Sequence, residues 1–116
     1  MATKKVGAER DAIKAVLNAL APFRAIRSTM PLQYVTAFLL VAMDEGKTVS
    51  EYAKQAGVSL SVMSRHLLDI GERNRYMEDG FGLVMAKPSP NSLREKEVYL
   101  TTKGRAVVHQ ITRQIM

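Results

Sequence analysis

Residues 48–73 read TVSEYAKQAGVSLSVMSRHLLDIGER, and the punctuation of this stretch decides the fold. Thr48 followed three residues later by Glu51 has the spacing of a capping box: the threonine hydroxyl satisfies the Glu51 amide and the carboxylate reaches back to the Thr48 amide. A helix is therefore expected from about Val49. Gly57 falls where the chain must leave that helix in a left-handed conformation, and Ser59 offers its hydroxyl as the N-cap of the next. Two helices separated by about three residues make a helix-turn-helix.

Stepping about 100° per residue along the second helix, 60–70, places Leu60, Met63, Leu67 and Ile70 on one side, with His66 at its edge. These four are expected to be buried. The other side carries Ser61, Arg65, Leu68 and Asp69, flanked by Val62 and Ser64 and preceded by Ser59. Its side chains are short near the N-terminus, which suits entry into a major groove about 12 Å wide. Arg65 matches the O6 and N7 of guanine, the serines match bases or phosphates, and Val62 matches a thymine methyl. Asp69, four residues on, is a competing partner for Arg65 at about 0.2–0.5 kcal/mol: either DNA displaces it, or Asp69 holds the guanidinium in a reading pose. The competing reading is a solvated helix face or a protein-interaction module.

Outward from this motif the periodicities continue. Residues 8–20 place Ala12, Ile13, Val16, Leu17 and Leu20 at helical spacing. Pro22 interrupts, FRAIRSTM suits a short turn or helix, and Pro31 opens a helix to Glu45 carrying Leu32, Val35, Phe38, Leu39, Ala42 and Met43, closed by Gly46. Beyond the helix-turn-helix, MEDGFG has turn chemistry. LVMAK and EVYLT are strand candidates, and PSPNSLREK between them is expected to be a loop. Thr101 is a cap for a last helix bearing Val107, Val108, Ile111 and Ile115. The expected fold is mainly α: a winged helix-turn-helix with a small two-stranded β-wing and N- and C-terminal helices. It divides into an N-terminal arm (1–30), a winged helix (31–101) and a C-terminal helix (102–116).

From about Pro31 onward the chain resembles MarR-type transcriptional regulators. The pattern Gly-Leu-Val, a proline loop, an arginine, then Leu-Thr-x-Lys-Gly is met by Gly82, Leu83, Val84, Pro88, Arg94, Leu100, Thr101, Lys103 and Gly104, and Ser64–Arg65 coincides with the Ser-Arg pair of the recognition helix. The resemblance implies that Arg94 of the wing enters a minor groove, and that two copies join through residues 8–20 and 103–116, setting recognition helices about 34 Å apart. Two departures stand out. About eight extra residues, in GERNRYMEDGF, precede Gly82; they either lengthen the recognition helix or form a loop beside the wing, bringing Arg73 and Arg75 to phosphates. Ser92 stands where the family often has an aspartate bracing the wing arginine. The longer segment is similar to MarR-like proteins of phages and mobile elements.

A length of 116 residues suits one domain with arms, and 47% apolar and 24% charged residues are globular proportions. No 18-residue apolar run exists to span a membrane, and the N-terminus has no secretory h-region. The net charge of +6 suits a polyanionic partner. It is spread evenly over the two halves, so charge alone marks no patch. The absence of cysteine excludes disulfides, zinc fingers and thiol redox sensing, consistent with a cytoplasmic setting. His66 and His109 stand 43 residues apart, with no carboxylate pair at metal-ligand spacing near either, and do not suggest a metal. No phosphate loop or nucleophile motif suggests an enzyme or a cofactor. Lys87, Asn91 and Lys96 flank Arg94 and are expected on phosphate. The partners expected are double-stranded DNA and a second copy of the chain; an effector is not specified by the sequence. The DNA-contacting set is thus Ser59, Ser61, Val62, Ser64, Arg65, Arg73, Arg75, Lys87, Asn91, Arg94 and Lys96. The function expected is a repressor, and the alternative is a winged-helix module for protein or replication-complex contacts.

Overall fold

The computed structural model describes residues 2–73 and 78–116. Helices α1 (Ala2–Ala19), α2 (Ala21–Ile26), α3 (Leu32–Met43), α4 (Val49–Ala56) and α5 (Leu60–Asp69) precede strands β1 (Val84–Ser89) and β2 (Ser92–Leu100), and α6 (Thr102–Ile115) follows.

Local chemistry sets the helix-turn-helix as the sequence suggests. The Glu51 amide donates to Thr48 Oγ1 at 3.3 Å and the Thr48 amide to Glu51 Oε1 at 3.1 Å, completing the capping box. Gly57 adopts φ 71°, and Ser59 Oγ accepts from the Val62 amide at 3.2 Å. Met63, Leu67 and Ile70 turn inward onto Phe38 and Val41 of α3, Tyr52 and Ala53 of α4, and Leu83, Val84, Val98 and Leu100 of the hairpin region. Leu60 does not join them: it remains 55% exposed. It is the first residue of α5, so although it lies on the inward stripe its turn overhangs the end of the core. Helix α1 is longer than its apolar pattern, reaching Ala2 rather than starting near residue 8, because backbone hydrogen bonding continues past the amphipathic stretch.

The wing corrects the strand boundaries. Pairing runs from Val84↔Leu100 to Pro88↔Lys96 and then shifts to Ser89↔Ser92, leaving residues 93–95 without β1 partners. The expected loop of nine residues is thus a tight turn at Pro90–Asn91 with a bulge on β2. Pro88 hid the strand, yet β1 is the outer strand, where a missing N–H is tolerated. On its other edge β2 meets residues 46–48: the Gly46 amide donates to Val98 O at 2.8 Å and the Val98 amide to Lys47 O at 3.1 Å.

The Leu-Thr-x-Lys-Gly motif is a clamp joining α6 to the entry of β1. Thr101 Oγ1 accepts from the Gly104 amide at 3.0 Å and donates to Gly82 O at 2.6 Å. Lys103 Nζ donates to Phe81 O at 2.8 Å. At Gly104 the backbone of α6 passes so close to Leu83 that any β-carbon would overlap the Leu83 carbonyl oxygen. Leu100 is buried beside it. Glu45, at the end of α3, braces the same junction by accepting from the Leu100 amide at 2.8 Å and from Arg105 Nη2 at 3.2 Å.

The extra segment before Gly82 does not lengthen α5, which stops at Asp69 with Ile70 as its cap. The chain leaves and returns to the same place. Gly80 donates to Glu72 O at 3.0 Å, Phe81 to Asp69 O at 3.2 Å, Gly82 to Gly71 O at 2.8 Å and Leu83 to Ile70 O at 2.8 Å. Arg73 and Asp79 face each other across this excursion in an antiparallel bridge. The described ends of the segment, 71–73 and 78–82, are thus held together beside the wing.

Candidate nucleic-acid interface

On α5, Ser61 and Arg65 are exposed and Val62 and Ser64 are half-buried. Ser59 is exposed but engaged as the cap, 3.2 Å from Ser61 Oγ. The pair expected between Arg65 and Asp69 is replaced by two other contacts. Arg65 Nε donates to Ser61 O at 3.4 Å, along its own helix, while Asp69 Oδ2 accepts from the Tyr34 hydroxyl of α3 at 2.7 Å. The Tyr34 ring also meets His66 edge-on at 5.5 Å and Phe81 at 6.2 Å between centroids. A hydroxyl bond to a carboxylate outweighs an exposed i,i+4 ion pair, about 1.5–3 against 0.2–0.5 kcal/mol. That difference favours the Tyr34 bond over an Arg65 pair.

Between α5 and the wing lies a groove of about 770 Å³. Leu60, Ser64 and Leu68 form its α5 wall, Val49 and Ser50 its α4 end, Ala86 and Val98 part of its floor, and Arg73, Arg94 and Lys96 bring positive charge to it, opposed by Glu72 and Glu95. Four of the sequence-derived residues, Ser64, Arg73, Arg94 and Lys96, are therefore gathered around one concavity. Arg94 stands in the β2 bulge with its amide donating to Ser92 Oγ at 3.3 Å, so the serine braces the arginine's backbone.

Lys87 is not part of that concavity. Side chains alternate along a strand, and Lys87 pairs with Glu97 while Ala86 pairs with Val98, so Lys87 sits on the opposite face of the hairpin. There its ammonium lies 5.1 Å from the Tyr99 ring centroid, and the Tyr99 hydroxyl donates to Glu97 Oε1 at 3.0 Å. That hydrogen bond to the carboxylate holds the Tyr99 phenol above its usual range. Asn91 is exposed at the turn, its amide donating to Ser89 Oγ at 3.3 Å. Arg75 lies outside the described residues. His109 is exposed on α6, and among the described residues no three His, Cys, Asp or Glu side chains gather to hold a metal ion.

Sequence reasoning missed Ser50 and Leu60 on this groove, and the contact of Tyr34 with Asp69 on another side of α5. Ser50 follows directly from the Thr48 cap, which marks a helix N-terminus, a place where polar side chains and free amides meet anions. Nothing near Tyr34 in sequence signals its reach to Asp69.

Comparison with solved structures places this geometry. A MarR-like transcriptional regulator from Thermotoga maritima superimposes with a TM-score of 0.61 at 25% identity, covering 76% of this chain and 57% of that one. The fold is that of the MarR-type regulators. A variant of Escherichia coli MarR complexed with operator DNA superimposes at 0.65 with 19% identity, over 97% of this chain and 71% of that one. The transcriptional repressor CouR, bound to a 23-mer DNA duplex, gives 0.56 and 21% over 94% and 70%. The chain spans less than two thirds of the length of the T. maritima regulator. No family model matches the chain. No curated protein matches it either. Within this MarR-type winged helix, the residues that carry the sequence pattern divide by role. Thr101, Lys103 and Gly104 hold α6 on the wing, whereas Ser64 and Arg94 border the open groove.

Proposed function

We propose that this chain is a sequence-specific, double-stranded-DNA-binding transcriptional regulator that represses by occluding a promoter, acting in the cytoplasm. The observation that carries the reading is the exposed Ser61–Arg65 face of α5 adjoining a groove that Arg73, Arg94 and Lys96 make cationic. Arg65 reads a guanine in the major groove, with Ser61, Val62 and Ser64 beside it, and Arg94 reaches the adjacent minor groove. Ser59, Arg73, Lys96 and Asn91 hold phosphates, Lys87 extends that contact to the other face of the hairpin, and Arg75 is assigned to phosphate from the sequence. Two solved neighbours of the same fold are bound to DNA, which supports the reading.

A repressor of this shape works as a two-fold dimer. Ile13 (69% exposed), Val16, Leu17 and Leu20 on α1, with Ile115 on α6, form apolar surface that a second copy would cover. The 1–30 arm and the C-terminal helix then join the copies, and residues 31–101 read the DNA, so the preferred site is near-palindromic.

Selection of bound fragments from random duplex DNA, followed by binding isotherms over a salt series, tests this. Specific binding that falls steeply with log salt is expected, because phosphate contacts release counterions. Arg65→Ala should cost about 1–3 kcal/mol at one base pair and relax specificity there, whereas Lys96→Ala should weaken all duplexes alike. A second reading, a protein-contact module, draws on one observation: Leu60 and Leu68, 55% and 44% exposed, put apolar surface on the same groove. Weak binding to every duplex at any salt would favour it instead.

A further inference from the structure

The first turn of α5 holds an apolar side chain in polar company. Leu60 is exposed, and so are Ser59 and Ser61 on either side of it. Residues four apart stack along one face of a helix, so Leu60, Ser64 and Leu68 form a row beside the row of Ser61 and Arg65. All three border the groove that Arg94 and Lys96 reach from the wing. Packing does not account for Leu60, because Met63, Leu67 and Ile70 fill the core while it stays in solvent. Val62, the other apolar residue of this turn, is half-buried and stands on the far side of the Ser61–Arg65 row, about 100° from Ser61. The exposed apolar group at the start of the helix is therefore Leu60, on the groove side.

A duplex offers a leucine little to pack on. Hydrogen-bond donors and acceptors line the major-groove edges of the bases, and the apolar group among them is the C5 methyl of thymine. The residues that reach those edges are the N-terminal ones of a recognition helix. We propose that Leu60 is a specificity residue that packs on a thymine methyl. This rests on the reading of α5 as the recognition helix. The occupant is DNA because the leucine stands among hydroxyls and wing cations, which base edges and phosphates satisfy in the same contact. Five residues of helix rise about 7.5 Å and bases stack about 3.4 Å apart. The thymine therefore lies within about three or four base pairs of the guanine read by Arg65.

The probe is the duplex selected by the wild type, with each thymine in turn replaced by deoxyuridine, which removes the methyl and keeps the base pairing. For the wild type, one such exchange per half-site is expected to weaken binding about three- to fourfold, the worth of one buried carbon. In Leu60→Ala the same exchange is expected to have no effect, a non-additivity that isolates the contact between side chain and methyl. Leu60 is exposed at a helix start, and alanine is a strong helix former, so the variant keeps its fold, which circular dichroism checks. A uracil penalty of equal size in the wild type and in Leu60→Ala means that duplex shape is being sensed, and overturns the proposal. So does a penalty lost in Val62→Ala and kept in Leu60→Ala, or a wild type indifferent to every exchange. In each of these cases the recognition-helix reading survives if Arg65→Ala relaxes specificity at its guanine. If the wild type selects no sequence, that reading fails first and the proposal falls with it.

Discussion

Replacing Gly104 by alanine sets two physical effects against each other. Gly104 lies in the first turn of α6, and helix propensity alone favours alanine over glycine by about 1 kcal/mol. Packing opposes it. A β-carbon there would overlap the Leu83 carbonyl oxygen and sit 3.2 Å from the Leu83 carbonyl carbon and 3.4 Å from Leu100 Cδ2. The obstacle is backbone, which cannot rotate away, and the same carbonyl accepts the Thr101 amide at 3.1 Å, so moving it also strains the clamp. Overpacking of this kind costs about 1–3 kcal/mol and occasionally more. With the loosened Thr101 cap, worth about 1 kcal/mol, the sum outweighs the propensity gain, and a net loss of about 2 kcal/mol is expected. For a domain near this size that is a fall in Tm on the order of 5–10 °C. Urea and thermal unfolding followed by circular dichroism measure it. Gly7→Ala in α1, where a β-carbon meets nothing within 4 Å, is the control and should be neutral or stabilising by up to about 1 kcal/mol. A Gly104→Ala protein as stable as the wild type, or more so, would refute the close-approach argument.

Other outcomes follow from the same geometry. The Thr48 amide and hydroxyl hold the Glu51 carboxyl below its ordinary value of 4.5, so its stabilisation is fully present above that value and is lost as pH falls through the lower, folded one; Glu51→Gln should flatten this part of the acid limb in urea midpoints measured against pH. Tyr52 is buried, with its hydroxyl donating to Asp44 O and accepting from the Lys47 amide at 3.2 Å; Tyr52→Phe strands those groups and should cost about 1–3 kcal/mol by denaturant titration, and a loss below 0.5 kcal/mol would show that water replaces the hydroxyl. Leu17→Glu, placed on the exposed α1 stripe, should convert a dimer to monomers in sedimentation without lowering helical content, and an unchanged mass would move the interface elsewhere.

The features legible in the sequence are those settled within a few residues. Thr48 and Glu51, Gly57, Ser59 and Thr101 each act on amides one turn away, and every one of these caps is present. The inward stripe of α5 was legible for Met63, Leu67 and Ile70 because periodicity states a face. It does not state where the core ends, so Leu60 was misplaced. The start of β2 is hidden because Ser92 to Lys96 look like loop; the pairing partners of Ser92 and Lys96 lie on another strand, at Ser89 and Pro88.

The sequence by itself determined the helix-turn-helix, the order of elements around it and the clamp residues after the wing, since capping, turn conformation and apolar period are short-range properties of the chain. Only the tertiary structure decided that α5 ends at Asp69 with the described ends of the extra segment held together, that Lys87 faces away from Arg94, and that Asp69 accepts from Tyr34. Those outcomes depend on groups brought together from distant parts of the chain, where hydrogen-bond strength and strand register, not spacing, choose the partner.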